Sequence, residues 1–131
     1  MPDGNCGFRS VAVGLGIDQK HWIWVRQQLI EEMDTHEDHW RRIFDGVINN
    51  MYDEIRETIN WLEVQGAPER HWMWMPYTGL LIAQKFGVPV HFLSLGASCS
   101  FFPLWSGPKY NSNQRIVTFA FVNKNHFINI H

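Results

Sequence analysis

The chain has 131 residues, of which 45% are hydrophobic, and this is enough apolar material for one core. We therefore predict a single domain spanning residues 1–131. The formal net charge of −2 and a pI near 6.4 argue against nucleic-acid binding as the main activity, because phosphate binding needs a basic surface.

Neither a membrane span nor a secretory leader is visible, since the sequence has no run of about 18 apolar residues. With only two cysteines, Cys6 and Cys99, a disulfide scaffold is implausible. We therefore expect an intracellular protein, cytoplasmic or nuclear, that is monomeric and has no membrane partner.

The first half of the chain is predicted to be helical. Residues 8–15 follow a turn-forming Asp-Gly-Asn sequence and can form a short helix that ends at Gly16. A second helix is indicated by an apolar face at three- and four-residue spacing, made of Trp22, Val25, Leu29 and Met33. The longest apolar stripe is predicted to break near residues 45–46, and its members are Trp40, Ile43, Phe44, Val47, Ile48, Met51, Ile55, Ile59 and Leu62. Pro76 suits the first turn of a further helix that Gly87 would end.

The second half is predicted to form strands. Residues 88–95, 99–105, 115–122 and 126–130 are rich in β-branched and aromatic residues and are bounded by Gly, Pro, Asn and Ser. Helices followed by strands predict an α+β domain, with N-terminal helices packed on a mostly antiparallel sheet. Asn123 to Asn125 would be the hairpin turn between the last two strands.

Cys6 is the first candidate for chemistry because it lies at the start of the first predicted helix. Unpaired N–H groups and the positive end of the helix dipole stabilise a thiolate at that position. The backbone amides of Gly4, Asn5 and Cys6 could also face the oxygen of a tetrahedral intermediate. An inert thiol is nevertheless the usual role of a single cysteine in a turn.

His126 is the candidate base for this nucleophile. It follows the predicted hairpin turn and begins the last strand, where a side chain can emerge at the rim of a sheet. A nucleophile on an early helix and a base on a late strand are the general arrangement of thiol proteases.

Two motifs resemble those of the ovarian tumour (OTU) cysteine proteases. The nucleophile motif is Asp3-Gly4-Asn5-Cys6-Gly7-Phe8-Arg9-Ser10, and the histidine strand is Asn125-His126-Phe127-Ile128-Asn129. The segment between them, from Trp74 to Phe92, resembles the middle helix and central strand of that family. The resemblance implies a papain-like OTU fold and hydrolysis after the C-terminal glycine of ubiquitin through a Cys6 thioester. The implied partner is ubiquitin, polyubiquitin or a ubiquitin-like modifier, and no cofactor is needed.

The third member of the triad is left open. Family members commonly have Asp or Asn two residues after the histidine, where this chain has Ile128. Asn129 is an alternative, but strand alternation places it on the other face from His126 unless a bulge intervenes. Asp3 is favoured for shaping the nucleophile loop, and a cap or turn brace is its purely structural role.

Other functions compete with this interpretation. The missing acid at position 128 is compatible with a non-catalytic ubiquitin-binding module, and thiol–imidazole chemistry is also compatible with an acyltransferase. His36 and His39 invite a zinc hypothesis, but their spacing and the lack of a third ligand favour a solvated helix end, so no metal is expected. Cys99 and the tryptophans, including Trp72, Trp74 and Trp105, are most simply packing residues, although the tryptophans could contact ubiquitin.

Overall fold

The computed structural model describes residues 4–94, 98–104, 116–122 and 126–130, with only the backbone for residues 119, 121, 122, 126 and 129. Three of the predictions above therefore fall outside the described residues, namely the roles of Asp3 and Trp105 and the turn Asn123 to Asn125.

Five α-helices occupy the first two thirds of the chain. They are α1 (Cys6–Gly14), α2 (Trp22–Thr35), α3 (Glu37–Asp45), α4 (Met51–Ile59) and α5 (Tyr77–Phe86), with 3-10 turns at Gln19–His21 and Glu69–His71. The predicted break near residues 45–46 is confirmed, because α3 ends at Asp45. Gly87 ends α5 with a φ of +63°, a conformation that glycine adopts without steric cost.

Four strands form one sheet in the order β2-β1-β3-β4. The strands are β1 (Val90–Leu93), β2 (Cys99–Phe101), β3 (Val117–Val122) and β4 (His126–Asn129). β1 pairs antiparallel with β2 and β3 pairs antiparallel with β4, whereas β1 and β3 are parallel. The predicted α+β class with a mostly antiparallel sheet is therefore confirmed.

The helical core follows the predicted stripe in part. Trp40, Phe44, Met51, Ile55 and Ile59 are fully buried. The prediction is wrong for three members that are exposed, Val47 (57%), Ile48 (53%) and Leu62 (45%). The chain leaves the helical conformation after α3 and again after α4, so helical spacing no longer determines which way these residues face.

The packing of α1 against the sheet brings the start of α1 to the start of β4. α1 packs on α2 and also contacts β3 and β4. β4 lies at one edge of the described sheet. Among the described residues, no helix has the length and apolar character needed to span a bilayer.

Candidate active site

Cys6 is the first residue of α1, and its side chain is almost fully buried, with 6% of the residue exposed. Asn5 is the N-cap residue, and its carbonyl oxygen accepts the first helical hydrogen bond, from the Arg9 N–H (2.9 Å). The Asn5 side chain makes no capping hydrogen bond to α1. The first turn of α1 therefore lacks the hydrogen bond that an N-cap side chain usually accepts from a backbone N–H.

The Cys6 sulfur accepts a hydrogen bond from the backbone N–H of Phe127 on β4 (3.3 Å). The register of the strand explains this contact. Ile130 donates its N–H to Thr118 of β3 (2.8 Å), so by alternation the N–H of Phe127 points away from β3, toward the free edge of the strand. The nucleophile candidate thus lies along this edge.

His126 is the first residue of β4 and immediately precedes Phe127, and its backbone lies opposite Val122 of β3. Two residues 120 positions apart in sequence, Cys6 and His126, therefore belong to segments that meet at the start of β4. The catalytic roles of Cys6 and His126 stay predictions.

The structure also bears on which residue is the third member of the triad, a choice that the sequence leaves open. The β3–β4 pairing runs without interruption from His126 to Asn129, so the bulge that would move Asn129 to the face of His126 is not present in this segment. Ile128 is 37% exposed. Asp3 lies outside the described residues and stays a prediction.

An arginine that the sequence motifs do not include holds the nucleophile loop from behind. Arg26 on α2 is completely buried. Its Nη2 atom donates to the Gly4 carbonyl (3.2 Å) and to Oδ1 of Asn5 (2.9 Å). The sequence carries one indication that Arg26 is special. It falls on the apolar face of the predicted second helix, between Trp22 and Leu29, where a charged side chain is unexpected.

Gly4 adopts a φ of +80° and is packed closely against the segment before α5. A Cβ atom at this position would lie 2.3 Å from the Ala67 carbonyl oxygen and 2.4 Å from Nε1 of Trp72. These two groups are themselves joined, because the Trp72 indole donates to the Ala67 carbonyl (3.1 Å). Only glycine fits here without displacing the loop.

An apolar cavity of about 470 Å³ lies close to Cys6, although Cys6 is not one of its lining residues. Phe127 connects the two, because its N–H contacts the Cys6 sulfur while its residue lines the cavity. The lining residues come from the segment before α5, from the ends of β1 and β2 and from β4, and they are Trp72, Met73, Trp74, Met75, Pro76, Phe92, Ser94, Ser98, Cys99 and Phe127. Trp72, Trp74 and Cys99, predicted as packing residues, thus also form the wall of an open site.

The second cysteine, Cys99, begins β2. Cys99 is partly buried against the core, and this burial raises the pKa of its thiol. Both cysteines are free.

His36 has a structural role at the junction of α2 and α3. Nδ1 of His36 and Nε1 of Trp40 both contact the same carboxylate oxygen of Glu32, each at 2.9 Å. Across the residues that the structure describes, no three His, Cys, Asp or Glu side chains come together as metal ligands.

Comparison with known proteins finds similarity in structure. No family model matches the sequence, and no curated protein matches it. The OTU domain of OTUD1 superposes with a TM-score of 0.63 at 19% identity, over 97% of this chain and 79% of that one. The viral OTU domain protease from Qalyub virus gives 0.64 at 16% identity, over 99% and 81% of the two chains. The corresponding protease from Dera Ghazi Khan virus gives 0.60 at 10% identity, over 100% and 78%.

Proposed function

Because this chain has the fold of the OTU domains, we propose that it is a thiol-dependent deubiquitinase. The proposed reaction is hydrolysis of the peptide or isopeptide bond after the C-terminal glycine of ubiquitin. The observation that carries the proposal is the contact of 3.3 Å between the Cys6 sulfur and the Phe127 N–H, which brings the start of α1 to the residue after His126.

In the proposed mechanism His126 takes the proton from Cys6. The sulfur then attacks the glycine carbonyl carbon and forms a tetrahedral oxyanion. The C–N bond breaks as the imidazolium protonates the leaving lysine amine, and ubiquitin remains on Cys6 as a thioester. Water, deprotonated by His126, releases the glycine carboxylate and restores the thiol. These reaction steps need no external oxidant, reductant or cofactor.

The oxyanion would be stabilised by backbone N–H groups of Gly4, Asn5 and Cys6. Two features support this assignment. Gly4 lets the loop backbone pack against Ala67 and Trp72 with no side chain between them, and the Asn5 side chain is hydrogen-bonded to Gln65 and Arg26. Backbone donors held in a fixed loop reorganise little as charge develops, and this is the condition for strong oxyanion stabilisation.

The apolar cavity supports a polypeptide substrate. Its walls are largely aromatic and thioether side chains, and one of its lining residues, Phe127, contacts Cys6. A substrate whose acyl part is an extended chain with apolar side chains can bury them there while its terminal carbonyl reaches the sulfur.

The test is covalent labelling with ubiquitin that carries a thiol-reactive C-terminus. The protein and the variants Cys6→Ala, Cys99→Ala and His126→Ala are each mixed with the probe, and intact mass is measured. We expect one ubiquitin adduct on the wild type and on Cys99→Ala, no adduct on Cys6→Ala, and a much slower adduct on His126→Ala. An adduct that survives Cys6→Ala would refute the assignment of the nucleophile.

A non-catalytic ubiquitin-binding module is the second candidate, and the observation that favours it is Ile128 at the position where the family commonly has Asp or Asn. An isoleucine cannot accept a hydrogen bond from imidazole and so cannot orient His126. The module would bind unmodified ubiquitin in a calorimetric titration yet leave the reactive probe unmodified. Turnover of a ubiquitin amide would exclude it.

A further inference from the structure

The buried cation behind the nucleophile loop connects three separate segments of the chain. Besides Gly4 and Asn5, the Arg26 guanidinium donates to the carbonyls of Thr58 (3.0 Å), Ile59 (3.1 Å) and His71 (2.9 Å). Thr58 and Ile59 are the last residues of α4, where carbonyls lack helical donors and carry partial negative charge. The cation is thus accommodated by backbone dipoles.

Stacking fixes the plane of this guanidinium. Its central carbon lies 3.9 Å from the centroid of the Phe8 ring, on α1 itself. With one face against Phe8 and its edges directed at carbonyls, the planar fork has a defined orientation relative to the nucleophile helix. A lysine ammonium, a single point of charge, cannot reproduce contacts that radiate in one plane.

The hydrogen bond to Gly4 has a consequence on the other side of the loop. The Gly4–Asn5 peptide is trans, so its C=O and its N–H point in opposite directions. Arg26 holds the Gly4 oxygen toward the interior. The N–H of Asn5 in the same peptide is therefore directed away from Arg26.

We propose that Arg26 is a positioning residue, which orients the Asn5 N–H as an oxyanion donor by fixing the Gly4 carbonyl and the Asn5 side chain. This inference rests on the proposed function, since it assigns Arg26 a role in stabilising the tetrahedral intermediate formed at Cys6. Arg26 touches no reacting atom, and its effect passes through the Gly4–Asn5 peptide.

The two reactions of Cys6 distinguish this role from simple support of the fold. Hydrolysis of a ubiquitin C-terminal amide passes through an oxyanion, whereas alkylation by iodoacetamide displaces iodide at carbon and forms none. For Arg26→Lys we expect kcat on the ubiquitin amide to fall about 100-fold with KM nearly unchanged, as for loss of one oxyanion donor. The rate of Cys6 alkylation should stay within about threefold of wild type.

Arg56→Lys is the matched control. Arg56 lies on the surface and pairs with Asp34 (2.9 Å), so the same substitution should leave both rates unchanged. If circular dichroism shows that Arg26→Lys does not fold, Asn5→Ala replaces it, because this variant removes one of the two contacts between Nη2 of Arg26 and the loop. We then expect kcat to fall about tenfold, again with unchanged alkylation.

Three results would overturn the inference. If Arg26→Lys, or Asn5→Ala in its place, kept the wild-type kcat, the loop would be shown to keep its oxyanion donor in position without these contacts. An equal fall in kcat and in alkylation would assign Arg26 a purely structural role. A wild-type chain that alkylates at Cys6 but hydrolyses no ubiquitin amide would refute the proposed function, and this inference with it.

Discussion

Gly4→Ala tests whether the close packing of the nucleophile loop is needed for activity. An added Cβ would lie 2.3 Å from the Ala67 oxygen, well inside an ordinary van der Waals contact. The loop must then move by about 1 Å, and a misplacement of this size can lower a rate about 100-fold. We expect kcat/KM for a ubiquitin amide to fall by about that factor.

The same change should lower the free energy of unfolding by an amount that can be separated into two parts. The left-handed backbone conformation costs a non-glycine residue about 1–2 kcal/mol. Displacing the hydrogen bond between Trp72 and Ala67 costs about 1 kcal/mol more. We therefore expect a total loss of about 2–3 kcal/mol, which a domain of ordinary stability survives.

Gly16→Ala is the control, because Gly16 has nearly the same φ (+84°) at an exposed position. It should lose only the backbone part, about 1–2 kcal/mol, and keep full activity. Urea unfolding followed by tryptophan fluorescence measures the stabilities, and amide hydrolysis measures the rates. Equal stability of the two variants, or wild-type turnover by Gly4→Ala, would refute the steric reasoning.

Two further predictions follow from groups whose titration is displaced by burial. Because burial raises the pKa of Cys99, alkylation of this thiol in Cys6→Ala should begin at a higher pH than alkylation of a free cysteine. A pH profile equal to that of a free cysteine would contradict this prediction. Burial, with the nearby carboxylates of Glu37 and Asp34, raises the pKa of Tyr52 to about 12, and its hydroxyl donates to the Met33 carbonyl (2.8 Å). An unfolded tyrosine titrates near pH 10, so this contribution to stability is complete below about pH 10 and is lost as the pH rises toward 12. The urea midpoint should therefore fall less over this range for Tyr52→Phe than for the wild type, and equal falls would contradict the assignment.

The regular elements could be predicted from sequence because their apolar spacing is local. The helix over residues 22–35 and the strand over residues 117–122 each carry their pattern within one continuous segment. The exposed positions Val47 and Ile48 show where this reasoning ends, since one apolar stripe spanned two helices and the turn between them. The parallel pairing of β1 with β3 was equally outside its reach, because no local pattern specifies it.

The candidate site, like the fold, could be predicted from the sequence only in part. Cys6 and His126 stand in short motifs that resemble those of the OTU cysteine proteases, so both could be named as candidates from the sequence. Arg26 escaped prediction because four of its partners are backbone carbonyls, from segments as far as 45 positions away, and residue identity does not indicate which carbonyls will accept a hydrogen bond. The cavity beside Cys6 was unpredictable for a related reason, since its walls come from four separate parts of the chain.

The hydrogen bond between Cys6 and Phe127 joins residues 121 positions apart, and this separation bears on how the protein is made. Closing a loop of that length costs about 4 kcal/mol of chain entropy, which the contact alone cannot return. The site can therefore assemble only after the intervening helices and strands have folded. During synthesis the thiol leaves the ribosome more than a hundred residues before β4 does. A nascent chain should accordingly carry an incomplete nucleophile site until β4 pairs with β3, so that synthesis itself delays the onset of activity.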